Sequence, residues 1–265
     1  MRAFVEGIGL VGPGLNGWQA SRAMLAGGQA YRPAPTSVSA SALLPAAERR
    51  RAGVPVKLAL AAGLEAIEAA SRDAANLATV FASSSGDCDN VHAMCESLAT
   101  PERQVSPTRF HNSVHNAAAG YWSIATQCRA PSTSLCCHDS SFAAGLLDAA
   151  SQVAVDGNPV VLIVYDHPYP APLSTARPIG ATFGAALVLA PQASAGAIAL
   201  LDIEFEPQQA GATRMDDPGL EALRIGVPAA RCLPLLAALT RRSSEPVFLE
   251  YVTGTHLRMA VTPCD

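Results

Sequence analysis

The chain has 265 residues, 49% of them hydrophobic and 15% charged, with a formal net charge of −4, so it can bury a sizeable core as one large domain or two small ones. Basic residues cluster only at Arg49-Arg50-Arg51 and Arg241-Arg242; these short runs read as solvated helix ends and give no footprint for nucleic acid or an anionic membrane. No run reaches the roughly 18 apolar residues of a membrane span, and Glu6 with its neighbouring glycines interrupts the apolar run a signal peptide needs.

Strand-length apolar runs alternate with helical patterns, which argues an α/β layering around a buried sheet. The first strand is expected from Ala3 to Leu10. A helix from Val56 to Arg72 follows, with Pro55 at its first position. Further strands are expected from Ala78 to Ala82 and from Thr133 to Cys137. Asp139-Ser140-Ser141 supplies capping oxygens for a helix that reaches Val155 and stops at Asp156-Gly157-Asn158. Pro159 to Tyr165 is a continuous apolar run, a strand that needs cover on both faces. Four prolines and no periodicity make 166–182 irregular. Strands from Phe183 to Leu189 and from Ile198 to Phe205 come next, then a polar linker from Pro207 to Pro218. Val247 to Val252 and His256 to Val261 read as a hairpin about Thr253-Gly254.

Several motifs carry possible chemistry. Gly7-Ile8-Gly9-Leu10-Val11-Gly12 matches the dinucleotide fingerprint, but a Pro13-Gly14 turn follows where a helix should open, and no acid lies roughly 20 positions on. A glycine-rich loop leaving a strand is the better account, and no cofactor is expected. Asp87, Cys88, Asp89, His92 and Cys95 are a dense group of potential ligands, yet no second pair completes a zinc set. A capped helix start carrying a buried thiol fits better. His111 and His115 are four apart without the metalloprotease glutamate and read as polar residues on a helix. No metal site is expected, and seven cysteines at irregular spacing fit reduced thiols in the cytoplasm.

The remaining stretch is Ser134-Leu135-Cys136-Cys137-His138-Asp139. Neighbours on a strand point to opposite faces, so Cys136 and Cys137 cannot serve one site together. The chemically special position is the strand-to-helix junction, where free N–H groups and the helix dipole would activate a thiol. That position holds Asp139.

The segment from Ala130 through Pro131-Ser132-Thr133 to Ser141 resembles the β-ketoacyl synthase signature, in which a Gly-Pro-Ser strand leads through an Ala-Cys-Ser/Thr-Ser junction into a helix. Without a gap, Asp139 falls on the nucleophilic cysteine and Cys137 two places early. Ser106-Pro107, Asn116, Ala119 and Gly120 are similar to the family's Ser-Pro…Asn…Ala-Gly-His segment, with Tyr121 where histidine is usual. Val5 to Gly12 followed by Trp18 and Leu25-Ala26-Gly27 resembles its opening strand and helix, and Gly184 to Leu189 its Gly-Ala-Gly-x-Leu-Val-Leu strand. The resemblance spans residues 3–205. The family's two catalytic histidines lie in a second half that this chain is too short to contain, and Thr253-Gly254-Thr255 is only superficially like the family's His-Gly-Thr-Gly-Thr.

The chain thus resembles the truncated chain length factors of aryl polyene and related pigment pathways. The resemblance implies an α/β, thiolase-like fold, N-terminal half only, with a mixed five-stranded sheet between helix layers over residues 1–206. A C-terminal helix and strand extension over 207–265 would pack on it. It implies no catalytic residue, with Asp139 turned into a helix N-cap. The edge strand Thr133, Ser134, Leu135, Cys136, Cys137 and His138 would meet a catalytic ketosynthase in a heterodimer, and Arg109, Phe110 and His111 would cap that partner's acyl tunnel. An acyl carrier protein would be reached through the partner. Two other readings stay open. One is a stand-alone acyltransferase or thioesterase in which Cys136 or Cys137 attacks with His138, His111 or His115 as base. The other is a carrier-protein-binding scaffold with no tunnel role.

Overall fold

The computed structural model describes residues 1–207 and 211–264, so the linker expected from Pro207 to Pro218 lies partly, at 208–210, outside the described residues. Strand β1 (Arg2–Gly12) turns through β2 (Leu15–Asn16) into α1 (Trp18–Leu25). Helices α2 (Ala46–Arg51) and α3 (Val54–Ala69) precede β3 (Ala78–Ala82). Three helices follow, α4 (Cys88–Ala99), α5 (Pro107–Ser113) and α6 (Ala117–Thr126), then β4 (Ser132–Leu135). Helix α7 (Ser141–Asp156) leads to β5 (Val160–Asp166), the single turn α8 (Leu173–Ala176), β6 (Phe183–Ala190) and β7 (Ala199–Pro207). The chain closes with α9 (Pro218–Gly226), α10 (Leu233–Arg241), β8 (Val247–Glu250) and β9 (Thr255–Pro263).

The strands form one sheet in the order β4-β3-β5-β6-β1-β7-β9-β8, with β2 paired to β1. β3 is parallel to both β4 and β5; the remaining pairs are antiparallel. The first five strands are the mixed sheet expected from the sequence, and β7, β9 and β8 prolong it beyond β1. Every residue of β5 is buried, and its alternation sorts two cores. Val160, Leu162 and Val164 face a layer that includes Leu146 and Val153 of α7 and Leu235 and Leu236 of α10. Val161, Ile163 and Tyr165 face α3 and α6, against Leu60 and Trp122. The apolar run from 159 to 165 therefore has cover on both sides.

The glycines of the first strand pack α3. A side chain on Gly7 or Gly9 would collide with the carbonyl oxygens of Ala66 and Ala62, and one on Gly12 with the Phe183 ring. The Gly7 and Gly9 spacing is the imprint of a helix lying close on a strand, and the stretch is not the loop expected from the sequence, since β1 runs through Gly12.

Some boundaries differ from expectation. α3 begins at Val54, with Pro55 second, and ends at Ala69. Ser71 turns left-handed at φ 51°, which sends Arg72 back to the buried Glu6 through two hydrogen bonds of 2.8 Å. β4 stops at Leu135, because Cys137 and then His138, at φ 50°, turn the chain into a 3₁₀ turn (His138–Ser140). Cys136, Cys137 and His138 thus lie beyond the edge strand. His111 and His115 share no helix, since α5 ends at Ser113.

Candidate functional site

β3, β4 and β5 are parallel, so their carboxyl ends deliver three loops to one rim of the sheet, where α/β folds habitually place ligands. The loops are Ser83 to Asp87, Cys136 to Ser140, and Asp166 to Tyr169. The buried Asp166 ties the first of these loops to its own and to the turn Pro228–Cys232. Its Oδ1 accepts from the Ser84 amide (2.9 Å) and the Ser84 hydroxyl (2.7 Å), and its Oδ2 from the Ala229 amide (2.8 Å). Burial pushes its carboxyl pKa up, against the pull of these donors.

Asp139 stands at the mouth of this rim, in the 3₁₀ turn ahead of α7. Arg177 Nη2 donates to Asp139 Oδ1 at 2.9 Å, and Arg231 Nη2 to Oδ2 at 3.3 Å. Arg177 also donates to the Tyr169 hydroxyl (3.0 Å) and lies 5.8 Å from that ring's centroid. Arg231 pairs in addition with Glu250, and the Ser140 hydroxyl donates to the Tyr251 carbonyl. His138 Nδ1 is 3.4 Å from Asp139 Oδ1. The carboxylate is held between two guanidiniums that come from the irregular 166–182 segment and from the turn Pro228–Cys232.

Asp139 does not cap the helix. The N-cap of α7 is Ser140, without a side-chain cap bond. The Ser141 hydroxyl does the local bonding, accepting from the Cys137 amide (3.0 Å) and donating to the His138 carbonyl (2.7 Å). A carboxylate outside the first helical turn is free to reach the arginines, whose full charges outweigh the fractional charge of the helix end.

The two thiols are differently disposed. Cys136 is exposed and donates to the Ser84 carbonyl at 3.2 Å; Cys137 is half-buried. Among the described residues no histidine is hydrogen-bonded to either. His115 Nε2 meets the Ser83 carbonyl at 3.0 Å, and His111 lies edge-on to Tyr121, centroids 6.2 Å apart. In the ligand-rich stretch, Asp87 caps α4 by accepting from the Asn90 amide at 3.1 Å, and burial raises the Cys88 pKa, keeping it a thiol.

The same rim ends at an open edge. Among the described residues β4 pairs with β3 alone, whereas the opposite edge is covered at Phe248, which exchanges hydrogen bonds with Thr213. α4 and α5 pack on each other, and α4 buries only Ala93 and α5 only Asn112. Val91 and Leu98 of α4 are exposed, and Phe110 of α5 is 61% exposed; Arg109 and His111 flank it in the open. Thr133, Ser134 and Leu135 are half-buried on the edge itself, and Ser132, Ser134, His115 and Ser123 line a groove between it and α6. Sequence reasoning reached this edge and Asp139. It missed Arg177 and Arg231, which are 38 and 92 residues from Asp139 and sit where no periodicity marks them.

Sheet order, parallel trio and strand-to-helix junction define a thiolase-like protein of the ketosynthase class. The model of the β-ketoacyl synthase N-terminal domain matches residues 18–225, and the chain belongs to that family. A chain of the ketosynthase ApeO in complex with its chain length factor ApeC, from Xenorhabdus doucetiae, is similar with a TM-score of 0.73 and 19% identity, over 98% of this chain and 99% of that one. A β-ketoacyl synthase from Burkholderia phymatum gives 0.70 at 13% identity, and the ishigamide ketosynthase/chain length factor 0.69 at 17%, each over 100% of both chains. No curated protein matches the chain. Among the described residues no helix is long and apolar enough to cross a membrane.

Proposed function

We propose that this protein is a non-catalytic, chain-length-factor-like subunit that pairs with a catalytic β-ketoacyl synthase in aryl polyene or related fatty acid and polyketide biosynthesis. The observation that carries the reading is the clamp of Arg177 and Arg231 on Asp139, the residue that the sequence resemblance aligns with the family's nucleophile. A carboxylate attacks a thioester far more weakly than a thiolate does, and two guanidiniums stabilise this one further as an anion. The partner supplies cysteine and histidines. It joins along β4, an unpaired edge that invites another strand, with Thr133, Ser134 and Leu135 on the edge and Cys136, Cys137 and His138 at its end. The exposed faces of α4 and α5 then meet the partner, and Arg109, Phe110 and His111 cap its acyl tunnel. The subunit works in the cytoplasm, where seven thiols stay reduced. Acyl carrier protein, which one structurally similar ketosynthase complex contains, arrives through the partner.

The test is co-expression with the ketosynthase encoded beside it, then size-exclusion chromatography and a condensation assay with and without this chain. A one-to-one complex, active only as a pair, is the expected result. Turnover of acyl thioesters by this chain alone, with a burst of acyl-enzyme on Cys136 or Cys137, would overturn it.

A further inference from the structure

The α5 helix carries the residues proposed to cap the tunnel, yet of its seven residues only Asn112 is buried, at 2% exposure. Its attachment therefore rests heavily on one side chain. Asn112 Nδ2 donates to the carbonyl oxygen of Arg51 at the end of α2 (2.9 Å), and its Oδ1 accepts from the Tyr121 hydroxyl of α6 (3.0 Å). A backbone carbonyl only accepts, so the amide can face Arg51 only with its NH2, which leaves Oδ1 for Tyr121. Burial pushes the Tyr121 pKa up, and the hydroxyl stays a donor at neutral pH.

The bond directions thus fix one orientation of one amide, and through it the seat of α5 between α2 and α6. Apart from that amide, α5 packs mainly on α4, a helix that itself buries only Ala93. The Ser106 cap reaches the Arg109 amide only at 3.5 Å, and Arg109, Phe110 and His111 are exposed. A segment with so few buried contacts opens locally at low cost unless a specific bond restrains it.

We propose that Tyr121 and Asn112 are positioning residues for product length: their hydrogen bond sets how far α5 stands out, and so how deeply Phe110 reaches into the space that a partner's growing acyl chain fills. The inference rests on the accessory-subunit reading. It assigns the pair no contact with substrate.

The test uses the purified complex with the neighbouring ketosynthase, supplied with malonyl-loaded carrier protein and a short acyl primer. Phe110→Ala, Tyr121→Phe and Asn112→Ala are compared with the unaltered chain by mass spectrometry of the products and by amide hydrogen exchange over residues 107–113. Tyr121→Phe keeps the ring and deletes one hydroxyl, so it remains informative where Asn112→Ala unsettles the fold. The expected result for Tyr121→Phe is an intact one-to-one complex, exchange in α5 faster by about tenfold, the effect of one lost hydrogen bond, and products that spread toward longer chains. If Phe110→Ala shifts the products but Tyr121→Phe leaves both products and exchange unchanged, the latch is overturned and the subunit reading stands. If neither variant moves the products, the tunnel reading itself falls and takes the latch with it.

Discussion

Asp139 sits in the turn between β4 and α7, and what holds its carboxylate is not local. A cap is a local bond and can be read from neighbouring residues, whereas Arg177 and Arg231 reach it across 38 and 92 residues, a distance only the fold closes. On the proposed reading, a cysteine at position 139 would not by itself make a condensing enzyme. In Asp139→Cys the two guanidiniums lose their shared carboxylate, and no histidine among the described residues is hydrogen-bonded to the adjoining thiols. We expect no condensing activity from Asp139→Cys alone, and a loss of about 1–2 kcal/mol, discounted for solvent at a side chain 44% exposed. Thermal unfolding about 2–4 °C lower, together with an acyl-transfer assay on the variant, checks both parts. Condensation by Asp139→Cys would show that the arginines leave the site competent.

At the scale of elements, the buried strands were the easiest to read. β3 is observed over the span expected, and β5 and β6 within a residue at either end, because strands covered on both faces are apolar throughout. Ends set by tertiary bonds are harder to read: the apolar pattern carries β4 through Cys137, and nothing local announces the left-handed His138. That shorter strand still defines the expected interface. The Pro131 and Leu135 carbonyls accept from Thr79 and Ser83 of the β3 segment, so by the alternation of a strand the backbone groups of Ser132 and Ser134 point outward. Ser134→Pro removes an outward donor while sparing the ladder to β3, and edge strands tolerate such a proline. The expected outcome is a complex weakened by about tenfold or more, with the melting temperature of the isolated chain little changed. Titration of the variant against the ketosynthase measures it, and undiminished affinity would move the interface away from β4.

Across the whole molecule, the C-terminal strands are continuous with the ketosynthase-like sheet. β1 is the shared strand: Phe4 to Val11 pair with β6, while Arg2 to Val5 pair on the other side with β7. Leu233, Leu235 and Leu236 of α10 pack into the same core as β1, β6 and α7, and Arg231 ties the turn before α10 to Asp139. The sequence led to an extension packed on the domain, but not to strands that prolong the sheet itself, since an apolar face does not name the face it meets. With one shared core, we expect a single cooperative unfolding transition across the chain. Glu6 in that central strand is buried, which disfavours its charge, but the Arg72 hydrogen bonds prevail and hold its pKa below the usual glutamate range. Its folded-state pKa is thus lower than its unfolded one, so the pair's stabilisation is present above the ordinary glutamate range and lost as pH falls through the folded value. Glu6→Gln should therefore lower stability by about 1–2 kcal/mol at neutral pH and flatten the acid limb of the stability curve. Denaturant titrations across that range provide the check. Parallel curves for Glu6→Gln and the unaltered chain would mean that the Arg72 pair does not govern the acid response, and two separate transitions would mean that the extension folds apart from the sheet it prolongs.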